Sequence, residues 1–162
     1  MRLFCLCEIT HFMPTCFKFA GPLVFVALLG GCAHAAALSD FTTDGCSLFP
    51  DGTIADRTLW CDCCLQHDIA YWQGGTEAQR LQADEQLKTC VAAKTHDPVL
   101  AQTMFLGVRA GGQPVFPNWY RWGYGWPYGR GYTALSAEEQ MQVQKKLAQR
   151  SEVAQGGYCA HN

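Results

Sequence analysis

The chain has no apolar stretch long enough to cross a bilayer. Its most apolar run, Leu23-Val24-Phe25-Val26-Ala27-Leu28-Leu29, falls far short of the roughly 20 residues that a spanning helix needs. It has no basic excess either: 12 Lys and Arg face 14 Asp and Glu, for a net charge of −2 at pH 7. A surface that neutralises nucleic-acid phosphates is therefore not expected. Neither Pro nor Gly interrupts Trp60 to Trp72, which makes a helix the natural reading there. Asp and Glu are absent from Pro98 to Ala137, where Trp, Tyr, Gly and the arginines Arg109, Arg121 and Arg130 accumulate instead.

What is present begins with a leader. Residues 1–35 read as an export signal: Lys18 precedes the apolar run and small residues follow it. Leu29-Gly30-Gly31-Cys32 resembles a bacterial lipobox, which makes Cys32 the lipidated first residue of the mature protein. Cleavage after Ala33-His34-Ala35, or one residue later, is the alternative. Met13 is a better start than Met1, because residues 1–12 add nothing that a signal needs. The expected location is a bacterial cell envelope, in the periplasm or as an outer-membrane lipoprotein, with a secreted soluble protein as the alternative. Beyond the leader the chain suits one domain with a modest core. Six cysteines remain there (Cys46, Cys61, Cys63, Cys64, Cys90, Cys159), and an even number in an exported chain reads first as disulfides, with about fifteen pairings open.

The Trp60–Trp72 stretch reads as a helix stopped by Gly74-Gly75. Turning about 100° per residue, it sets Trp60, Cys63, Cys64, His67, Ala70 and Tyr71 on one face and Leu65, Ile69 and Trp72 on the other, so protein should wrap most of it. His67 is then either a core histidine satisfied by one hydrogen bond or a working group beside Asp68. Thr76 and Gln79 form a capping box for a second helix, to about Ala93 or Lys94. In it Asp84 falls within about 60° of Leu81, Leu87 and Val91, a place from which a short side chain cannot reach water. Asp84 either pairs locally with Arg80 or Lys88, or faces His67 across an antiparallel pair. The spacing allows the second, since His67 lies seven residues before Gly74 and Asp84 nine after Gly75.

Two irregular regions flank these helices. Asp40 to Asp56 carries Asp44, Asp51 and Asp56 among glycines and Pro50, which fits an Asx-rich turn as well as a hard-cation loop. Trp119 to Tyr132 is too broken by Gly for a regular element; its rings suit either a lipid-facing rim or an arm packed over the domain's own surface. Ser136 and Glu139 form a second capping box for a peripheral helix to about Arg150, with a thin apolar face of Met141, Val143, Leu147 and Ala148.

Taken together, Cys63-Cys64-x-x-His67-Asp68-x-x-Tyr71, with Asp84 and Cys90 downstream, resembles the active-site helices of secreted phospholipase A2 enzymes over roughly residues 44–90. Asp44-Gly45-Cys46 is similar to the short calcium loop of the family's bacterial and fungal branch. The resemblance implies a mainly α fold in which a disulfide-stapled antiparallel helix pair carries the active site. A calcium loop precedes it and an irregular aromatic-rich C-terminal region follows. Residues 40–97 would be the catalytic core, and 98–162 an extension with a C-terminal helix packed on the same domain. It also implies roles. His67 would be the general base, Asp84 would hold its tautomer and Tyr71 would hydrogen-bond Asp84. Calcium would be bound by Asp44, the Gly45 carbonyl and Asp68, and the disulfides would be Cys46–Cys64 and Cys63–Cys90, leaving Cys61–Cys159. The implied reaction is calcium-dependent hydrolysis of the sn-2 ester of glycerophospholipids at a membrane surface. The glycine-rich calcium loop of the animal enzymes is absent, Ala70 stands where a Cys is usual, and the aromatic third has no counterpart.

Two other functional classes fit parts of the pattern. One is a non-catalytic calcium- or lipid-binding protein on the same scaffold, which has no evident need for His67, Asp68 and Asp84 together. The other is a zinc module built from Cys61, Cys63, Cys64, Cys90 and His67. Crowded, adjacent cysteines suit a tetrahedral site poorly, and export favours oxidised sulfur.

Overall fold

The computed structural model describes residues 36–153 and Cys159. The expected leader and the lipidation expected at Cys32 lie outside the described residues. Among them the secondary structure is helical throughout: α1 (Cys61–Gln73), α2 (Glu77–Thr95), α3 (Pro98–Gly111) and α4 (Ala137–Val153), with no strand. None of these helices is long and apolar enough to cross a membrane.

α1 starts without a side-chain cap. Disulfides hold its first turn instead: Cys61 to Cys159, Cys63 to Cys90 and Cys64 to Cys46, the same pairs that the resemblance implies. It ends where Gly74 and Gly75 turn with φ of 67° and 137°, conformations that favour glycine. α2 opens on the Thr76–Gln79 capping box and runs back alongside α1. Direct links show the direction: His67 to Asp84, Tyr71 to Arg80, Cys63 to Cys90 and Asp62 to Lys94. As the first partner moves down α1 the second moves up α2, so the pair is antiparallel.

Two details of α2 differ from the wheel. Leu81 is exposed, and Arg80 is buried in its place beside Ala83, Asp84, Leu87 and Val91. Lys88 pairs with Glu85 and lies over the Phe105 ring, away from Asp84.

The larger departure is α3, in a region read as irregular. Asp97 caps Val99 and Leu100 through its carboxylate, and Pro98 takes the first turn, where its missing N–H costs nothing. α3 packs on α2, joining Ala101 and Met104 to Trp60, Cys63, Cys64, Leu87 and Val91 in one apolar core.

The aromatic stretch forms no regular element, yet much of it is interior. Gly123 N–H and Gly125 N–H donate to the carbonyls of Tyr71 and Trp72 at 2.7 and 3.1 Å, and the Trp126 indole donates to Gln73 O at 2.7 Å. These are the terminal α1 carbonyls, which have no partner within their own helix. A side chain at Gly125 would stand 2.5 Å from the Trp72 ring. Trp122 is buried against Tyr71 and Ala83, and Trp126 joins Leu38, Trp72 and Val143 in a second core. Trp119 and Tyr128, by contrast, remain 67% and 60% exposed. α4 contributes Val143 and Leu147 to that second core, while Met141, expected on its apolar face, is exposed. Its Ser136–Glu139 box is present, and Arg130 grips Glu139 with both terminal guanidinium nitrogens.

Candidate active site

The antiparallel pairing brings His67 of α1 over Asp84 of α2. His67 Nε2 lies 2.8 Å from Asp84 Oδ1, and Asp84 is fully buried. An ionised carboxylate only accepts, so Nε2 carries the proton and Nδ1 of the neutral ring keeps a free lone pair. Tyr71 OH donates to the same oxygen at 2.8 Å. Burial, followed by the charge of Asp84, pushes the Tyr71 phenol far up, so it stays a donor. Burial would also push Asp84 up, but hydrogen bonds from His67, Arg109 and Tyr71 outweigh it and hold the carboxylate below its usual range.

Two arginines complete this cluster. Arg109, from the last turn of α3, donates to Asp84 Oδ2 at 2.7 Å. Arg80 sits 3.9 Å from that oxygen and spends its donors elsewhere: on Tyr71 OH, Tyr132 OH, Val108 O and Arg109 O. Sequence reasoning allowed Arg80 as a local partner and assigned Arg109 nothing. Gly112 abuts Tyr71 so closely that a side chain there would come within 2.4 Å of the ring.

His67 and Asp68 open on a cavity of about 180 Å³. Its apolar wall is Leu48, Phe49, Leu87, Met104 and Val108, and Gly45 stands at its edge. Ser47 and Leu48 are held at φ of 33° and 60°, a left-handed backbone that costs about 1–2 kcal/mol per non-glycine residue. Leu48 is 85% exposed while also lining the cavity.

The three residues expected to bind a cation meet only in part. Asp44 and Asp68 line a second, smaller hollow of about 140 Å³ with Thr42, Thr43, Trp119 and Tyr124, whereas Gly45 and Asp68 line the larger cavity. Asp68 belongs to both. Its buried carboxylate is pushed up to about 7, chiefly by desolvation; the Thr43 hydroxyl at 2.5 Å pulls it down, and the charges of Asp44 and Asp51 push it further up. A buried carboxylate among like charges is short of positive charge, and an all-oxygen donor set suits a hard cation. The donor types therefore fit a divalent ion of that kind, while Asp44 Oδ1 and Oδ2 accept from the Ser47 hydroxyl and the Trp119 indole N–H at 2.7 and 3.2 Å.

The other loop carboxylates serve the loop itself. Asp51 Oδ1 accepts from Cys46 N–H and Asp56 Oδ1 from Thr58 N–H, as in an Asx-rich turn. Asp51 also lies beside the sulfurs of Cys46 and Cys64, but those sulfurs are bonded to each other and offer no thiolate. The same holds for Cys61, Cys63 and Cys90, so none of the cysteines of the zinc reading offers a thiolate.

No family model, curated protein or solved structure matches the chain. Thr43 and Tyr124 were missed by sequence reasoning: Thr43 holds Asp68, and Tyr124 OH reaches the carbonyls of Thr42 and Asp68 at 2.6 and 3.3 Å. Their hydroxyls carry no local pattern.

Proposed function

We propose that the chain is a calcium-dependent phospholipase A2-like esterase, acting on the sn-2 ester of glycerophospholipids from a membrane surface. The observation that carries this reading is the His67–Asp84–Tyr71 cluster, which leaves Nδ1 free beside an apolar cavity and a carboxylate in need of a cation. In the reaction, Nδ1 of His67 takes a proton from water as the water oxygen bonds to the ester carbonyl carbon. Collapse of the tetrahedral intermediate breaks the carbon–oxygen bond to glycerol, and the departing oxygen takes the proton back from Nδ1. The products are a fatty acid and a lysophospholipid. Asp84 and Tyr71 keep the ring in the required tautomer and orientation. A calcium ion held by Asp44, the Gly45 carbonyl and Asp68 would supply positive charge for the developing oxyanion.

Size and surroundings support a lipid substrate. A cavity of about 180 Å³ is smaller than the roughly 300–1,000 Å³ pockets that enclose whole small ligands. One acyl segment enters it and the rest of the lipid stays outside. Exposed Leu48 lines the cavity, and Trp119 borders the adjoining hollow.

The test uses oxidised, leader-free protein and mixed phospholipid vesicles, with and without calcium, and product analysis by mass spectrometry. Lysophospholipid should form only with calcium, and His67→Gln should reduce turnover by at least about 10²-fold while leaving calcium affinity nearly unchanged. Calcium uptake with no product would favour the non-catalytic binding protein, and a fully active His67→Gln would remove the proposed mechanism.

A further inference from the structure

We propose that Arg109 is a positioning residue for His67, acting through Asp84; the catalytic part of this inference rests on the esterase reading above. The two oxygens of Asp84 are divided between helices. Oδ1 receives both groups from α1, His67 Nε2 and Tyr71 OH, each at 2.8 Å. Oδ2 receives Arg109 from α3 at 2.7 Å. The carboxylate torsion of an aspartate is broad and nearly two-fold, so Oδ1 alone would not keep the group from rotating under the imidazole. A charge-assisted bond on the opposite oxygen does that.

Arg109 is itself fixed from behind. Arg80 Nη2 donates to the backbone carbonyls of Val108 and Arg109 at 2.9 and 2.8 Å, clamping the last turn of α3. A cation in that turn is also favoured by the helix dipole. The connections close on themselves: α2 holds the end of α3 through Arg80, and α3 returns Arg109 to Asp84 of α2. Arg109 does not line the cavity that His67 and Asp68 share, so its effect reaches a substrate only through the carboxylate and the ring.

The experiment compares wild type, Arg109→Gln and Arg109→Lys as oxidised full domains, folded by circular dichroism. It uses two readouts: steady-state hydrolysis of a short-chain phosphatidylcholine with calcium, and the downfield proton resonance of His67 Nε2–H, assigned by its loss in His67→Gln. Arg109→Gln should lower kcat about 10- to 100-fold, the usual scale for a lost orienting partner. KM and calcium affinity should stay within about twofold, and the resonance should broaden or move upfield. Arg109→Lys, which keeps the charge but not the planar fork, should lose only severalfold in kcat. Should Arg109→Gln not fold, Arg109→Lys carries the test, and wild-type kcat with an unmoved resonance overturns the inference. So does an effect confined to KM. If wild type hydrolyses nothing, the esterase reading fails by itself, and the resonance alone decides whether Arg109 orders the His67–Asp84 pair.

Discussion

At the scale of single residues, the chemistry lies in side chains whose environment is set by tertiary contacts. Asp68 has a distinct pH signature. Its carboxyl ionises near 3.8 ordinarily and near 7 in the fold. Below pH 3.8 it is neutral in both folded and unfolded chains and contributes nothing. Above about 7 it is charged in both, and the folded state bears the full cost of a buried charge. Metal-free protein should therefore lose stability from this group as pH rises from about 4 to 7. Calcium at a hundredfold excess over its Kd should restore about 2.7 kcal/mol, or roughly 8 °C in Tm, at pH 7.5; thermal melts at pH 5 and 7.5, with EDTA or calcium, check both signs. The spacing about the glycine turn allowed His67 to face Asp84, whereas the parts given to Tyr71 and Asp68 came only from the resemblance to phospholipase A2 helices. Arg109 was not legible, since nothing local links it to a carboxylate 25 residues away. Arg80 was legible as a neighbour of Asp84, 3.9 Å away, but its burial was not: a buried arginine is tolerable only when its donors are satisfied, and Tyr132, Val108 and Arg109, which do so, lie far along the chain.

At the scale of elements, three helices announced themselves and one did not. α1, α2 and α4 carry glycine stops or capping boxes that act within four residues, so sequence alone exposes them. α3 has a start signal too, in Asp97-Pro98, but Gly107, Gly111 and Gly112 inside or just past it, and the broken aromatic stretch beyond, disguise a helix held chiefly by packing on α2. Helix register in the α1–α2 pair depends on Cys63–Cys90 as well as on the polar cluster. Replacing both cysteines with alanine should cost about 2–4 kcal/mol, read as a lower urea midpoint. Because that link lies one turn from His67, the same variant should lose turnover well before it unfolds, which activity measured across the urea range would reveal.

At the scale of the whole molecule, the aromatic third is structural at its centre and exposed at its edges. Trp126 is buried between Trp72, Leu38 and Val143, and its indole binds the end of α1. Trp126→Ala should therefore cost about 3–5 kcal/mol, measurable by chemical denaturation. Trp119→Ala, at an exposed position, should cost little stability and weaken binding to phospholipid vesicles in a sedimentation assay. Sequence composition alone had left rim and packed arm as alternatives; Trp122 and Trp126 are packed into the domain, while Trp119 and Tyr128 are exposed.

The backbone of Gly123 and Gly125 supplies the last donors that α1 needs, and this bears on modularity. A fragment ending at residue 97 would hold His67, Asp68, Tyr71 and Asp84, yet its principal helix would finish on bare carbonyls, with Trp72 deprived of Trp126 and Val143. Such a fragment should be proteolytically labile even with Cys46–Cys64 and Cys63–Cys90 formed. The helix pair is not a portable cassette: shuffling it onto another tail would transplant the lettering without the shape.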